Sequence, residues 1–161
     1  MDNKTHYTHE DEDISFGEPT RVGHTFAGWY TDAEFTQPIT AIPHHSVGSI
    51  TLYAKWEANT YTVKMHLNNN TAEILSQDFT YGVTQALTRH KATYTGYSFV
   101  GWATEANGDA IYTNGARLKD LTAEPGGTVH LYGIWETVTY TVSYQNLFEA
   151  ANDSRNPTTF D

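Results

Sequence analysis

The chain is predicted to be mainly β, α+β at most, and to be assembled from tandem small modules. The strongest of three observations is a duplication. Gly23-His24-Thr25-Phe26-Ala27-Gly28-Trp29 returns as Gly96-Tyr97-Ser98-Phe99-Val100-Gly101-Trp102. Downstream, Ile50-Thr51-Leu52-Tyr53-Ala54-Lys55-Trp56-Glu57 returns as Val129-His130-Leu131-Tyr132-Gly133-Ile134-Trp135-Glu136. All four tryptophans lie in these blocks, and self-similarity at such an interval marks repeated units that each bury a small core. Second, a stretch such as Tyr61 to Leu67 alternates apolar and polar residues, the period of a half-buried strand. Third, no stretch keeps a 3.6-residue apolar period over ten residues, so no long helix is expected.

Residues 1–13 are polar and acidic, ending in Glu10-Asp11-Glu12-Asp13, and read as a solvated strand or tail. Tyr61-Thr62-Val63-Lys64-Met65-His66-Leu67 sets Tyr, Val, Met and Leu against Thr, Lys and His, which predicts a strand. Asn68-Asn69-Asn70 follows; asparagine tolerates left-handed backbone, so a hairpin turn belongs there. The partner strand runs from about Ile74 to Tyr81 and ends at Gly82. Tyr97 to Trp102 is a further strand, with Gly101 placed for a bulge or a close crossing. Asn107-Gly108-Asp109 predicts a turn. Arg117 to Leu121 is assigned one helical turn before Pro125-Gly126-Gly127. His130 to Trp135 is the last strand of the unit. The connector Glu57-Ala58-Asn59-Thr60 is too short for free swing, so the modules are expected to form a semi-rigid rod.

The repeat interval, from Tyr61 to Tyr140 or Trp56 to Trp135, is 79 residues. A unit of that size buries only roughly 60–65 % of its unfolded surface, so large side chains must be concentrated in it. An aromatic content of 14 % supplies them. The formal charge of −10 argues against nucleic acid, which calls for clustered Lys and Arg, and against anionic membranes. There are no cysteines, unlike most small secreted eukaryotic modules; a cytosolic protein or a bacterial surface protein fits. No apolar run approaches the roughly 18–20 residues of a membrane span, so membrane insertion is not expected. Met1 and its polar neighbours read as the start of an excised fragment.

The blocks resemble the internalin B-type repeat, also called the Listeria–Bacteroides repeat. Its pattern is a Tyr-x-Val opening strand, Gly-x-x-Phe-x-Gly-Trp in the middle, and Leu-Tyr-x-x-Trp at the close. Here these are Tyr61 and Val63; Gly96, Phe99, Gly101 and Trp102; and Leu131, Tyr132 and Trp135. The first copy shows Gly23, Phe26, Gly28 and Trp29, then Leu52, Tyr53 and Trp56. The resemblance implies a small β-grasp-like fold, an extracellular place on the bacterial cell surface or cell wall, and a role in spacing or adhesion. It implies no catalytic residues. One departure is that Trp102 to Trp135 is six residues longer than Trp29 to Trp56, 33 against 27.

The repeat sets the expected boundaries. Residues 58–136 form one complete repeat; 1–57 is a partial repeat without the opening hairpin; 137–161 opens a further repeat with Tyr140-Thr141-Val142-Ser143-Tyr144. Phe26, Trp29, Leu52, Tyr53 and Trp56 are expected in the first core, and Tyr61, Val63, Phe99, Trp102, Leu131, Tyr132 and Trp135 in the second. The complementary ends predict head-to-tail self-association, residues 137–161 of one copy completing 1–57 of another through strand donation. A host surface protein or neighbouring repeats are the other expected partners.

Little points to chemistry. His6, His9, Glu10, Asp11 and Asp13 are metal-friendly in composition, but a site needs fixed geometry and a supporting shell. His44 and His45, one apart on an extended segment, are expected on opposite faces. His24 takes the slot of Tyr97, and His66 and His130 fall at polar strand positions. No nucleophile elbow or phosphate loop is present. No catalytic residue, cofactor or structural metal is therefore expected. Lys64 and Asn146 could join in an isopeptide bond. The alternative to a spacer is a glycan-binding module using exposed tyrosines outside the duplicated positions: Tyr30, Tyr112 and Tyr94.

Overall fold

The computed structural model describes residues 4–145 and the strand Thr159–Phe160. Among them are strands, turns and bends but no helix, so the chain is mainly β. By packing, these residues divide into two units. The first holds the described residues up to Thr62, with Asp78–Gln85 and Leu118–Val129. The second holds Val63–Gln77, Ala86–Arg117 and the described residues from His130 onward. This division rests on packing, whereas the boundaries expected at 57/58 and 136/137 rest on the duplicated motifs.

The first unit contains β1 (Ile14–Ser15), β2 (His24–Tyr30), β3 (Pro38–Ile39), β4 (Ala41–Ile42) and β5 (Tyr53–Ala58). A three-stranded sheet runs β3-β2-β5, and β1 pairs with β4. A turn launches β2: the His24 N–H donates to the Arg21 carbonyl at 3.1 Å. Along the β2–β5 ladder Phe26 faces Trp56 and Trp29 faces Ala54. Three residues on β2 thus span two on β5, which is a one-residue bulge at Ala27-Gly28. Phe26 meets Trp29 and Trp56 edge-on, both at 5.5 Å between ring centroids.

The later strands are β6 (Thr60–His66), β7 (Ile74–Thr80), β8 (Gln85–Ala86), β9 (Tyr97–Ala103), β10 (Arg117–Leu118), β11 (Thr128–Thr137), β12 (Tyr140–Thr141) and β13 (Thr159–Phe160). Four of them form a sheet in the order β7-β6-β11-β9. The period-2 pattern of β6 is realised: Tyr61, Val63, Met65 and Leu67 are buried and Lys64 is exposed. The turn after it holds Asn68 and Asn70 in left-handed backbone, φ 53° and 66°. On β9 and β11, Gly101 faces Ile134 and Phe99 faces Trp135, so β9 carries the same bulge as β2.

Arg117 to Leu121 is not a helical turn. Arg117–Leu118 is β10, paired with β8. Leu118 turns inward, 4 % exposed, and Arg117 outward, and Asp120 at φ 53° leaves the right-handed region a helix needs. Of the expected core, Tyr61, Val63, Trp102 and Leu131 are fully buried. Phe26, Trp29, Leu52, Trp56, Phe99, Tyr132 and Trp135 are half-buried. Tyr53 lies outside the core at 37 % exposure; it is the first residue of β5, opposite Tyr30 at the end of β2.

Candidate functional site

In the second unit the Asn68–Asn70 turn forms one wall of an open groove of about 820 Å³. Asn69 holds the turn: its buried carboxamide donates to the Thr93 carbonyl at 3.1 Å and accepts from Thr71 Oγ1 at 2.7 Å. That leaves Asn68, Asn70 and Thr71 to face the groove, with Tyr94, Tyr97, Asn107 and Trp135 across it. Tyr94 and Tyr97 stack with centroids 4.2 Å apart and planes 11° off parallel, and Tyr97 is 37 % exposed. The Tyr97 N–H donates to the Tyr94 carbonyl at 3.0 Å, so the turn fixes the rings beside each other. Among the described residues no hydrogen bond engages the side chains of Asn70 and Asn107. No charged side chain among the described residues lines the groove. Amides, a hydroxyl and a ring face suit a neutral, polyhydroxyl ligand, since each amide offers both donors and an acceptor.

A second cavity, of about 480 Å³, lies in the first unit. Ile14, Phe16, Ile42, Ile50 and Leu52 form its apolar part, and Lys4, His6 and Tyr7 its polar rim. The Tyr7 hydroxyl donates to the Gly48 carbonyl.

Tyr30 and Tyr112 line neither cavity. Both are half-buried. Tyr30 meets Phe35 edge-on at 5.4 Å and lies under the Lys55 ammonium, while the Tyr112 carbonyl accepts from the Trp102 N–H at 2.7 Å. Of the three tyrosines singled out in the sequence, Tyr94 alone reaches a groove.

The acidic segment at the start is held by specific bonds. Lys4 pairs with Asp11 at 2.7 Å, the His44 N–H donates to Asp13, and His44 Nδ1 lies 2.7 Å from the Asp11 carbonyl. Lys4 is the first cause of a lowered Asp11 carboxyl pKa. The rings of His44 and His45 lie 3.7 Å apart rather than on opposite faces, because His45 is left-handed at φ 64° and strand alternation does not apply to a turn. Among the described residues no three His, Asp or Glu side chains gather to hold a metal. His24 does fill an aromatic slot, edge-on to Tyr81 at 5.8 Å. Asn146, the supposed partner of Lys64, lies outside the described residues.

Two histidine arrangements had no sequence signal. His66 Nε2 and His130 Nδ1 are 2.8 Å apart, with Tyr132 stacked on His66 at 4.7 Å. Such a bond requires one ring to donate and the other to accept, so at least one is neutral. Burial, then the charge of His130 and of Lys64, lowers the His66 pKa. His90 packs edge-on against Phe99, Trp102 and Trp135 at 4.2, 5.1 and 6.0 Å. Neither of its ring nitrogens, nor the Trp102 indole N–H, has a hydrogen-bond partner, and burial lowers its pKa.

The sequence model of the Listeria-Bacteroides repeat domain matches residues 2–55 and 61–133. Two similar proteins of Evansella cellulosilytica, whose names call them membrane proteins and one of them Gly-rich, are 33 % identical over 129 residues and 32 % over 130. Those matches cover 79 % and 80 % of this chain but 18 % and 14 % of the relatives. Internalin H of Listeria monocytogenes is 34 % identical over 119 residues, 71 % of this chain and 19 % of that protein. The chain thus spans less than a fifth of each relative. No solved structure matches it significantly.

Proposed function

Since the chain belongs to the Listeria-Bacteroides repeat domain family, and is a repeat segment of the surface-protein type, we propose that it serves as a stalk or spacer that also offers an adhesive surface. Its place is the outer face of a bacterial cell, and its task is mechanical rather than catalytic. One observation carries this reading. The two motif copies build the same pair of strands with the same one-residue bulge, β2 on β5 and β9 on β11. Duplication preserves the frame and leaves the loops to differ, which is what an extendable array requires. Concatemers of the chain test it by small-angle scattering. The maximum dimension should grow by a constant increment per copy; arrays that collapse to a constant dimension would rule the spacer out.

The groove of Asn68, Asn70, Tyr94 and Tyr97 favours a neutral glycan as the adhesive target. Binding of the chain to a panel of neutral and acidic oligosaccharides, with Tyr97→Ala as the companion, tests that half. Saturable binding to a neutral member that the variant loses supports it. Binding confined to acidic glycans would discard it.

A further inference from the structure

The two closing strands hold different places in their sheets. β11 is internal, between β9 and β6, whereas among the described residues β5 is the edge of β3-β2-β5. In the second copy β6 runs along the start of β11, the Thr62 N–H donating to the Gly127 carbonyl and Leu67 reaching Gly133. Because β2 and β5 match β9 and β11 residue for residue through the bulge, the equivalent place in the first copy lies along residues 48–54, which lead into β5. The seat that β6 occupies is apolar and close. Trp135 donates its indole N–H to the Leu67 carbonyl at the end of β6, at 2.7 Å. Among the described residues the corresponding Trp56 N–H meets no such carbonyl. Leu131 is 0 % exposed, but its counterpart Leu52 is half-buried and lines the 480 Å³ cavity with Ile14, Phe16, Ile42 and Ile50. β11 begins at Thr128, whereas β5 begins only at Tyr53, the counterpart of Tyr132. The stretch 48–52, which joins no strand among the described residues and lines unfilled apolar volume, is backbone open to another strand.

The chain carries a segment of the right pattern. Tyr140-Thr141-Val142-Ser143-Tyr144 repeats Tyr61-Thr62-Val63-Lys64-Met65, whose Tyr, Val and Met are the buried row of β6. β12 already pairs with β13 and, among the described residues, with no other strand of its sheet. Tyr140 and Tyr144 are 47 % and 37 % exposed, where Tyr61 and Met65 are 2 % and 1 %. We propose that the stretch 48–54, leading into β5, receives the Tyr140–Tyr144 segment of a second copy of this chain, in the manner of β6 on β11. The donated row sets Tyr140 and Val142 beside Gly48 and Ile50 and Tyr144 beside Leu52, all three acceptor residues lining the cavity. The contact joins unlike surfaces, so it propagates head to tail unless the rotation closes a ring.

Sedimentation equilibrium of the full chain from about 10 μM to about 1 mM, where a weak edge contact populates, tests this. The mass should rise with concentration above the 18.1 kDa monomer. Val142→Asp, on the inward row, should hold it at the monomer, and Ser143→Asp, on the outward row like the exposed Lys64, should not. Should Val142→Asp fail to fold, Tyr140→Asp at an exposed position gives the same reading. Three outcomes overturn the proposal: a full chain monomeric throughout, as when the segment folds back on its own first unit; association unaffected by both inward variants; or association lost equally with Ser143→Asp.

Discussion

The two copies of Gly-x-x-Phe-x-Gly-Trp share a sequence, a bulge and a strand partner, yet they are buried to different depths. Trp102 is 0 % exposed while Trp29 is only half-buried; Leu131 is 0 % exposed while Leu52 is half-buried. Even the motif glycine answers to different needs. Gly28 has φ 112°, a backbone that side-chain-bearing residues rarely adopt, with room around it; a Cβ on Gly101 would lie 2.6 Å from the Tyr112 carbonyl. A motif therefore specifies the strand pair and its bulge. How far its aromatics are sealed depends on what packs over them, and in the second copy His90 lies edge-on against Phe99, Trp102 and Trp135.

Truncating the two tryptophans gives the largest test of that difference. Trp102→Ala removes a fully buried indole and should cost about 3–5 kcal/mol, comparable to the stability of so small a unit. Trp29→Ala, half-buried, should cost about 1–2 kcal/mol. Chemical denaturation of both variants checks this, and equal losses would break the claim that the copies differ in depth.

The next effect is an exchange between copies. The second has Gly133 where the first has Ala54. A Cβ on Gly133 would lie 2.5 Å from the Leu67 carbonyl, a backbone atom that cannot rotate aside. Gly133→Ala should therefore destabilise by about 1–3 kcal/mol through overpacking. Ala54→Gly relieves no clash within its own copy and should lose only about 0.5–1 kcal/mol through backbone entropy. If Gly133→Ala proved neutral, the end of β6 would not press on β11 as described.

What the sequence disclosed and what it hid divide along the range of the interactions. The hairpin of β6 and β7, the asparagine turn and the bulge at Gly101 are local, written in alternation and turn chemistry. Arg117 to Leu121 departs from the expected helical turn because left-handed Asp120 and the pairing of β10 with β8 are tertiary choices. His44 and His45 share a face rather than opposing ones for the same reason, the left-handed turn at His45. Most of the expected aromatics do pack together, but Phe79, Leu87 and Leu118, also buried, sit outside the duplicated blocks and had no repeat to flag them. Of the groove, only Tyr94 was legible. Tyr97 falls inside a duplicated block, outside the tyrosines that the glycan alternative singles out, and the amides that face it come from a turn whose partner lies 24 residues on, Asn69 to Thr93.

The smallest expected effect comes from His90, which again separates the copies. Counting back by the interval from Gly23 to Gly96, 73 residues, its counterpart is Gly17, whose carbonyl accepts the Trp29 indole N–H at 3.1 Å. In the second copy a histidine fills that place, and the Trp102 N–H is left without a partner. Burial holds the His90 pKa below its ordinary value of 6.5, so the unfolded chain takes up the proton first. Its contribution is thus full above pH 6.5 and is lost as pH falls from there through the lowered folded value. His66, lowered chiefly by burial, acts in the same sense, whereas the lowered carboxyl of Asp32, held first by the Thr36 N–H, responds only in more acid solution. The melting temperature should consequently drop as pH is taken from 7 to 5. His90→Phe, which keeps a ring against Phe99, Trp102 and Trp135 but has nothing to protonate, should make that drop shallower while leaving the His66 share. Melting curves of both proteins across this range decide the matter. An unchanged slope in the variant would mean that the His90 ring is hydrated, and that the aromatic seal of the second copy is less complete than its tryptophan suggests.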